Sequence, residues 1–566
     1  MAEPRQTELA QPVSNTGTPS RTIASPFILA GFVILFAILT VISGAFTSEL
    51  SGETDEAAHY VTGLLARDYV LHGLTQGPLT YAANFYLHYP KVGLGHWPPL
   101  FYAIQALWMM VFGDSLAADI ALMMLLTAVF AWLAYEVARR AFQSQAAAVG
   151  CGLLALLLPV VQMYGRMIMA DLPVAVFIFA AAWAWIRFME VELRRYAVYF
   201  ALLSSAAILT KGNGYALAFV PGISIALCRR WRLIVNRDVW LAGGIVALCT
   251  VPWNLITRDL IVPTMQHSFG TGFFWEGGAF YLEKLLTGPG LFITALALLG
   301  IVVKVVIPLF RSRVEPVWAT LLAVIISVHL FHVLVPAGKE IRYLLPSYAA
   351  MILFMGGGIE WICGLLSGVV PVRYSAAAAA AVVAIVFFAT VFYVPRKRAF
   401  GFNEIGETLT EGPLAGAQRI LCASTADGEG LLVSEIARRD RHRPQRVVAR
   451  GTQMFATMDW NGRDYRPLVQ SADDVRQVLN AIPAEVVVFD RMPSGYRFPH
   501  DRLLDEVLHS SDWERVGEFP KVRTASTVRD IKLELYRWAG PPRTGGSRLR
   551  VELSPKPRIV LDLPRK

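Results

Sequence analysis

Charge is scarce in this chain. Only 17% of its 566 residues are Asp, Glu, Lys or Arg, against 55% hydrophobic, and the mean hydropathy is +0.47. That balance, with apolar runs long enough to cross a bilayer, excludes an ordinary soluble domain and gives a polytopic membrane protein. Cysteine is scarcer still. Cys151, Cys228, Cys249 and Cys363 fall in or beside apolar runs, Cys422 lies elsewhere, and none has metal-ligand spacing. No disulfide framework or structural metal follows. The C-terminal part lacks a Gly-rich phosphate loop after a strand and lacks a nucleophile elbow. The formal charge of +9 comes from short Lys/Arg clusters between apolar runs, where they set topology, and nucleic-acid binding is excluded.

What is there is a ladder of apolar segments. Residues 1–25, rich in Pro, Ser, Thr and Gln, read as a disordered cytoplasmic tail. The run from Pro26 to Phe46 is longer than a signal-peptide core and reads as an uncleaved first span. Further spans are expected near 117–137, 145–163, 168–188, 197–210, 213–228, 239–257, 290–309, 316–335, 342–366 and 374–394, about eleven in all and up to 13. Segment 98–113 is apolar but short. Treating it as a re-entrant or interfacial helix puts Arg139 and Arg140, the stretch 187–195, the stretch 229–232, the stretch 311–313 and Arg373 on the side of the N-terminus, as the positive-inside rule asks. The "RKR" at 396–398 disagrees, landing outside.

This topology gathers the unusual polar residues on the outer face: the 47–116 loop, "GRMIMADLP" at 165–173, "TKGNG" at 210–214, the 258–289 loop and "GKEIRYLLP" at 338–346. Ionisable groups at span ends are costly and so are functional candidates. Asp55 and Glu56 open a helix expected to be capped by Thr54, where acids suit the positive helix end without any further role. The stripe of Ala58, Val61, Leu64, Leu65 and Tyr69 is expected to lie on the membrane surface, leaving Asp55 and His59 facing water together. A carboxylate so held can take a proton from an attacking hydroxyl. Asp171 starts a span, as helix-start acids do, and Arg166 before it reads equally as an interfacial cation. Lys211 sits between two apolar runs. Lys339 and Arg342, three apart and followed by Tyr343, read as one helical face able to hold a phosphate, or as snorkelling cations. His96 precedes Trp97 and a Pro-Pro pair at the start of the re-entrant helix; a lone histidine there is a ligand, a proton carrier or a bystander.

An acid pair after the first span, "PPL" and an aromatic before the second, an Asp opening a later span, "LTKG", then "RYLLP": in this order the motifs resemble those of the GT-C membrane glycosyltransferases. The likeness is to the dolichyl-phosphate-mannose-protein mannosyltransferases of glycosyltransferase family 39 and the aminoarabinose transferases, over about residues 26–395. It implies transfer of a sugar from a polyprenyl-phosphate donor to an envelope acceptor on the outer face of the cytoplasmic membrane. It implies Asp55 as catalytic base with Glu56 and Asp171 as companion acids, and Lys211, Lys339, Arg342 and Tyr343 at the lipid phosphate. His59, His96 and Arg166 are further candidates. Where aminoarabinose transferases carry "KPPL", this chain has Trp97 before Pro98, so the cation expected there is missing. A divalent ion on Asp55, Glu56 and His59 is chemically open, but these groups fit acid–base work as well, and no metal or cofactor is assigned.

After Pro395 the composition changes. Stretches 419–424, 446–450, 485–490 and 531–538 read as strands, and 428–440 and 471–482 as helices, the latter capped by Ser471. An extracytoplasmic α/β domain over 396–540 is expected, followed by a loose tail over 541–566. The rival to an enzyme, a transporter or flippase of lipid-linked saccharides, calls for polar or broken helices at the bilayer midplane. The ionisable residues here gather at outer span ends instead, and a non-catalytic scaffold gives no reason for acids and cations to converge.

Overall fold

The structure, a computed structural model, describes residues 24–541 apart from 52, 94, 143, 262–269, 367–393, 441–442, 459–463, 493–494 and 524–530. The span expected at 374–394 falls outside these residues but for Val394, as do nearly all of the two tails.

Seven helices among the described residues are long and apolar enough to cross a membrane: Ser25–Ser43, Leu116–Phe142, Asp171–Val191, Arg237–Arg258, Leu291–Arg311, Pro316–Leu334 and Ile341–Leu365. The other expected spans come out shorter or broken. Segment 145–163 is two helices, Gln145–Leu157 and Pro159–Tyr164, interrupted where Pro159 starts the second. Segment 213–228 opens as a 3₁₀ turn, Gly212–Ala218, before Val220–Leu227. Segment 98–113 forms the 13-residue helix Leu100–Phe112. Asp171–Val191 is buried along most of its length, whereas little of Arg237–Arg258 is buried, as in a peripheral lipid-facing helix. Small residues let helices approach: a Cβ on Gly300 would lie 1.8 Å from the Phe354 carbonyl oxygen.

The C-terminal part is built on a six-stranded sheet. Its strands are β1 (Ala399–Phe400), β2 (Arg419–Ala423), β3 (Val447–Arg450), β6 (Val486–Arg491), β7 (Trp513–Arg523) and β8 (Ile531–Trp538), and a small hairpin of β4 (Ala456–Thr457) and β5 (Arg466–Pro467) lies apart. The order is β1-β7-β8-β6-β2-β3. β3, β2 and β6 run parallel, joined through helices as parallel strands require, and β6, β8, β7 and β1 are antiparallel. Helices Ala426–Arg439 and Ala472–Ala481 stand where the sequence placed them, the second with a capping box of Ser471 and Asp474. β7 was not foreseen. Gly517 and Pro520 break its pattern, and its register shifts between Arg515 and Gly517.

The helix Thr54–Asp68 lies between the two parts. It packs against Leu100–Phe112 on one side and against Ala426–Arg439 of the sheet domain on the other. The stripe expected on the membrane surface is therefore protein core: Ala58, Val61, Leu64 and Leu65 are all buried, and so is His59. Thr54 is the first helical residue rather than the cap; Glu53 holds the cap position and no side chain caps the helix. Ionic contacts fix the docking. Arg443 donates to Asp68 and Asp114 at 2.6 Å each, and the Tyr89 hydroxyl donates to Asp440 at 2.5 Å.

Candidate functional site

Four chain segments bring opposite charges together beside the first turn of Thr54–Asp68. Asp171 opens its helix and is almost wholly buried. Lys211 follows the last residue of helix Arg194–Thr210 in extended backbone, and the chain then folds back over that helix. Only glycine permits the return: a Cβ on Gly214 would sit 2.4 Å from Ala207 C and from Ile208 N. Lys211 Nζ thereby reaches both carboxylate oxygens of Asp171 at 2.8 Å. Arg342 lies in the 3₁₀ turn Ile341–Leu344 that feeds the next long helix, and Pro346 sits in the first turn of that helix, where its missing N–H costs nothing. Arg342 Nη2 donates to Asp55 Oδ2 at 2.9 Å, and Nε stands 3.8 Å from Asp171 Oδ1.

Nε and Nη1 of Arg342 are buried without a hydrogen-bond partner. Buried guanidinium nitrogens are seldom left so, and donors in this state are ready for an anion. Tyr343 lines the same place: Lys211 Nζ stands 5.1 Å from its ring centroid, and His332 stacks on it at 4.8 Å. His332 was not singled out from the sequence, because a histidine inside an apolar span carries no local signal of the ring it meets.

The remaining candidates divide. Glu56, wholly buried, points away from Asp55. It accepts from the backbone N–H of Ile168 at 3.1 Å, from Ser51, and from Lys397 Nζ at 3.0 Å. Lys339 is not on a helical face with Arg342: the chain has no helical turn from 338 to 340, and the lysine pairs instead with exposed Glu276 at 3.1 Å. Arg166 turns back on Gln162 at 3.1 Å and lies over the Phe36 ring, outside the cluster. The 258–289 segment, expected as a loop, holds the helix Thr271–Thr287.

His59 does not face water. Its ring stacks on Trp97 at 4.2 Å, its Nδ1 meets the Tyr102 hydroxyl at 2.8 Å, and its Nε2 has no partner. Burial pushes its pKa down to about 3 and that of neighbouring His96 down to about 4, so both are neutral near pH 7. Asp55 and Glu56 turn to different partners, Arg342 and Lys397, and the His59 ring packs on Trp97. No group of three or more His, Cys, Asp or Glu placed to hold a metal occurs among the described residues.

Residues 96–256 match the family model of dolichyl-phosphate-mannose-protein mannosyltransferase. No curated protein matches the sequence. Among solved structures, ArnT from Cupriavidus metallidurans in the apo state is similar at 17% identity and a TM-score of 0.53, over 90% of this chain and 99% of that one. ArnT from the same organism bound to undecaprenyl phosphate is similar at 17% identity and a TM-score of 0.50, over 92% and 100%. The Archaeoglobus fulgidus oligosaccharyltransferase tethered to an acceptor peptide is similar at 13% identity and a TM-score of 0.54, over 82% and 69%. The fold is thus shared with these solved structures, and residues 96–256 carry the likeness to the mannosyltransferase model.

Proposed function

We propose that this GT-C membrane glycosyltransferase moves a sugar from a polyprenyl-phosphate donor to an envelope acceptor, a protein, lipid or glycan, on the outer face of the cytoplasmic membrane. The observation that carries the reading is the quartet of half-buried Asp55 with buried Arg342, Asp171 and Lys211, in which Arg342 keeps two donors unpartnered. That a structure of similar fold, ArnT, was obtained with undecaprenyl phosphate supports the donor class.

In this mechanism Asp55 is the general base. Arg342 pairs with it through Nη2 and offers Nε and Nη1 to the donor phosphate, with Lys211 behind it on Asp171. The acceptor hydroxyl attacks the anomeric carbon in line with the departing lipid phosphate, and the sugar is inverted. Before reaction the two cations and two carboxylates balance. As Asp55 takes the hydroxyl proton the quartet gains one positive charge, while the leaving phosphate gains one negative charge. Compensation that grows toward the transition state lowers the barrier, whereas equal binding of both states would not. Lys339, paired with exposed Glu276, is close in sequence but takes no part in this step.

Mass spectrometry of envelope glycans and glycoproteins with and without the protein tests the activity and names the sugar. An unchanged envelope would reject it. Tags at 140, 194 and 231 should report the cytoplasm and tags at 265 and 450 the outside; a cytoplasmic tag at 450 would reject the outer-face assignment.

A further inference from the structure

Lys397 belongs to the basic cluster that fits no topological rule, and its surroundings explain its place. The side chain is buried, with Nζ at 3.0 Å from Glu56 Oε1 and at 3.0 Å from the Arg166 carbonyl oxygen. Its own N–H donates to the Ser43 carbonyl at 2.9 Å. One lysine thus joins the end of the first helix, the helix carrying Asp55, the approach to Asp171 and the first residues of the sheet domain. Two residues on, Ala399 continues the seam: its N–H donates to Ser48 Oγ at 3.0 Å and its carbonyl accepts from Glu49 at 3.1 Å. Glu56 follows Asp55 in the same helical turn, and its second oxygen is held by the backbone and hydroxyl of Ser51.

We propose that Lys397 is a positioning residue: by clamping Glu56 to the Arg166 carbonyl, it makes docking of the sheet domain set where Asp55 stands against Arg342 and Asp171. The proposal rests on the reading of Asp55 as base. A buried lysine with two acceptors is not needed for solubility or topology, and its partners lie one residue from Asp55 and five from Asp171. The donor phosphate's own partners, Arg342 and Lys211, are untouched by it, so its effect should be on turnover and not on phosphate affinity.

The test compares full-length Lys397→Met, Lys397→Gln and Lys397→Arg with wild type and with Asp55→Asn. Three readouts are needed: the envelope product in cells lacking the native gene, undecaprenyl phosphate binding in detergent, and amide hydrogen exchange. Lys397→Met should lower product at least tenfold, bind undecaprenyl phosphate within twofold of wild type, and exchange faster at 51–57 and 165–171 but not along β2, β6 and β8. Lys397→Gln, which keeps one donor, is the milder second variant and should fall between; Lys397→Arg should restore most of the product. A folded Lys397→Met or Lys397→Gln with wild-type product overturns the proposal, and so does loss of product accompanied by equally weakened phosphate binding. Asp55→Asn separates the two claims. If it stays active, the base assignment fails whatever Lys397 does; if it is inactive while Lys397→Met is fully active, only the positioning role fails.

Discussion

Replacing Arg342 by alanine puts the donor-phosphate site to its hardest test. The guanidinium is nearly enclosed, spends one nitrogen on Asp55 at 2.9 Å, and leaves Nε and Nη1 without partners. At 3.8 Å the Asp171 oxygen is too far from Nε to take a hydrogen bond. A phosphate can therefore be engaged without breaking the contact to Asp55. One charge-assisted contact to a buried ion is worth roughly 1.5–3 kcal/mol, and at about 1.4 kcal/mol per factor of ten its loss should weaken undecaprenyl phosphate binding roughly 10- to 150-fold. The transfer rate should fall further than binding does, since the leaving phosphate carries more charge in the transition state than in the ground state. Arg342→Lys should recover only part, because an ammonium is a point charge and cannot make the paired contacts of a planar fork. The assay is titration of undecaprenyl phosphate onto the detergent-solubilised protein, alongside transfer in nanodiscs. If Arg342→Ala keeps affinity and rate within twofold of wild type, the phosphate lies elsewhere and Lys211 becomes the next candidate.

Asp55→Asn should cut transfer roughly 10²- to 10⁴-fold, the usual worth of a general base, yet bind undecaprenyl phosphate at least as tightly as wild type, because a negative charge beside the phosphate has gone; weaker binding by the folded variant would contradict the charge balance. His59 and His96 have folded pKa values pushed below the unfolded value of 6.5 by burial, to about 3 and about 4, so the unfolded chain binds more protons between pH 6.5 and pH 4. Stability is then fully present above pH 6.5 and should fall on acidification by about 3 kcal/mol per pH unit for the two together. Thermal unfolding of His59→Gln and His96→Gln between pH 7 and pH 4.5 should show a shallower acid loss, and an unaltered slope in both would refute the assignment. Gly214→Ala would press a methyl group against backbone at 2.4 Å and should cost roughly 1–3 kcal/mol while drawing Lys211 off Asp171; wild-type stability and transfer would mean the turn is more yielding than its geometry.

The quartet was legible because each member is a charge at the end of an apolar run, where its cost demands a reason. Asp55, Asp171, Lys211 and Arg342 meet as that cost suggested. Lys339 was grouped with Arg342 on helical spacing, but the backbone is non-helical before Ile341 and tightens to a 3₁₀ turn after it, so a spacing of three carried no shared face. His59 and the stripe beside it were read as surface, but His59 is covered by Trp97 and Tyr102 and the helix is packed between Leu100–Phe112 and Ala426–Arg439, and nothing local to residues 54–69 announces either cover. Lys397 was visible only as an anomaly of topology. Its partner Glu56 carries the same motif signal as Asp55, and a sequence does not say which of two adjacent acids turns inward. In the sheet domain the regular strands and the capped helix were plain, whereas β7 hid behind its glycine and proline.

The wedging of Thr54–Asp68 between the membrane helices and the sheet domain also governs when the enzyme can exist during its own synthesis. Tyr89 and Asp440, a contact of that seam, are 351 residues apart. At common elongation rates of 5–20 residues per second, roughly 20–70 s separate the emergence of the two. For that interval the helix carrying Asp55 is made but lacks its cover on one side, the side that packs against Ala426–Arg439. Such a long-range closure is slow and entropically costly, and it comes last. A chain that stalls or is truncated before residue 439 would carry all four members of the quartet in sequence without holding them in place, so partial products would be inserted in the bilayer but silent toward the donor.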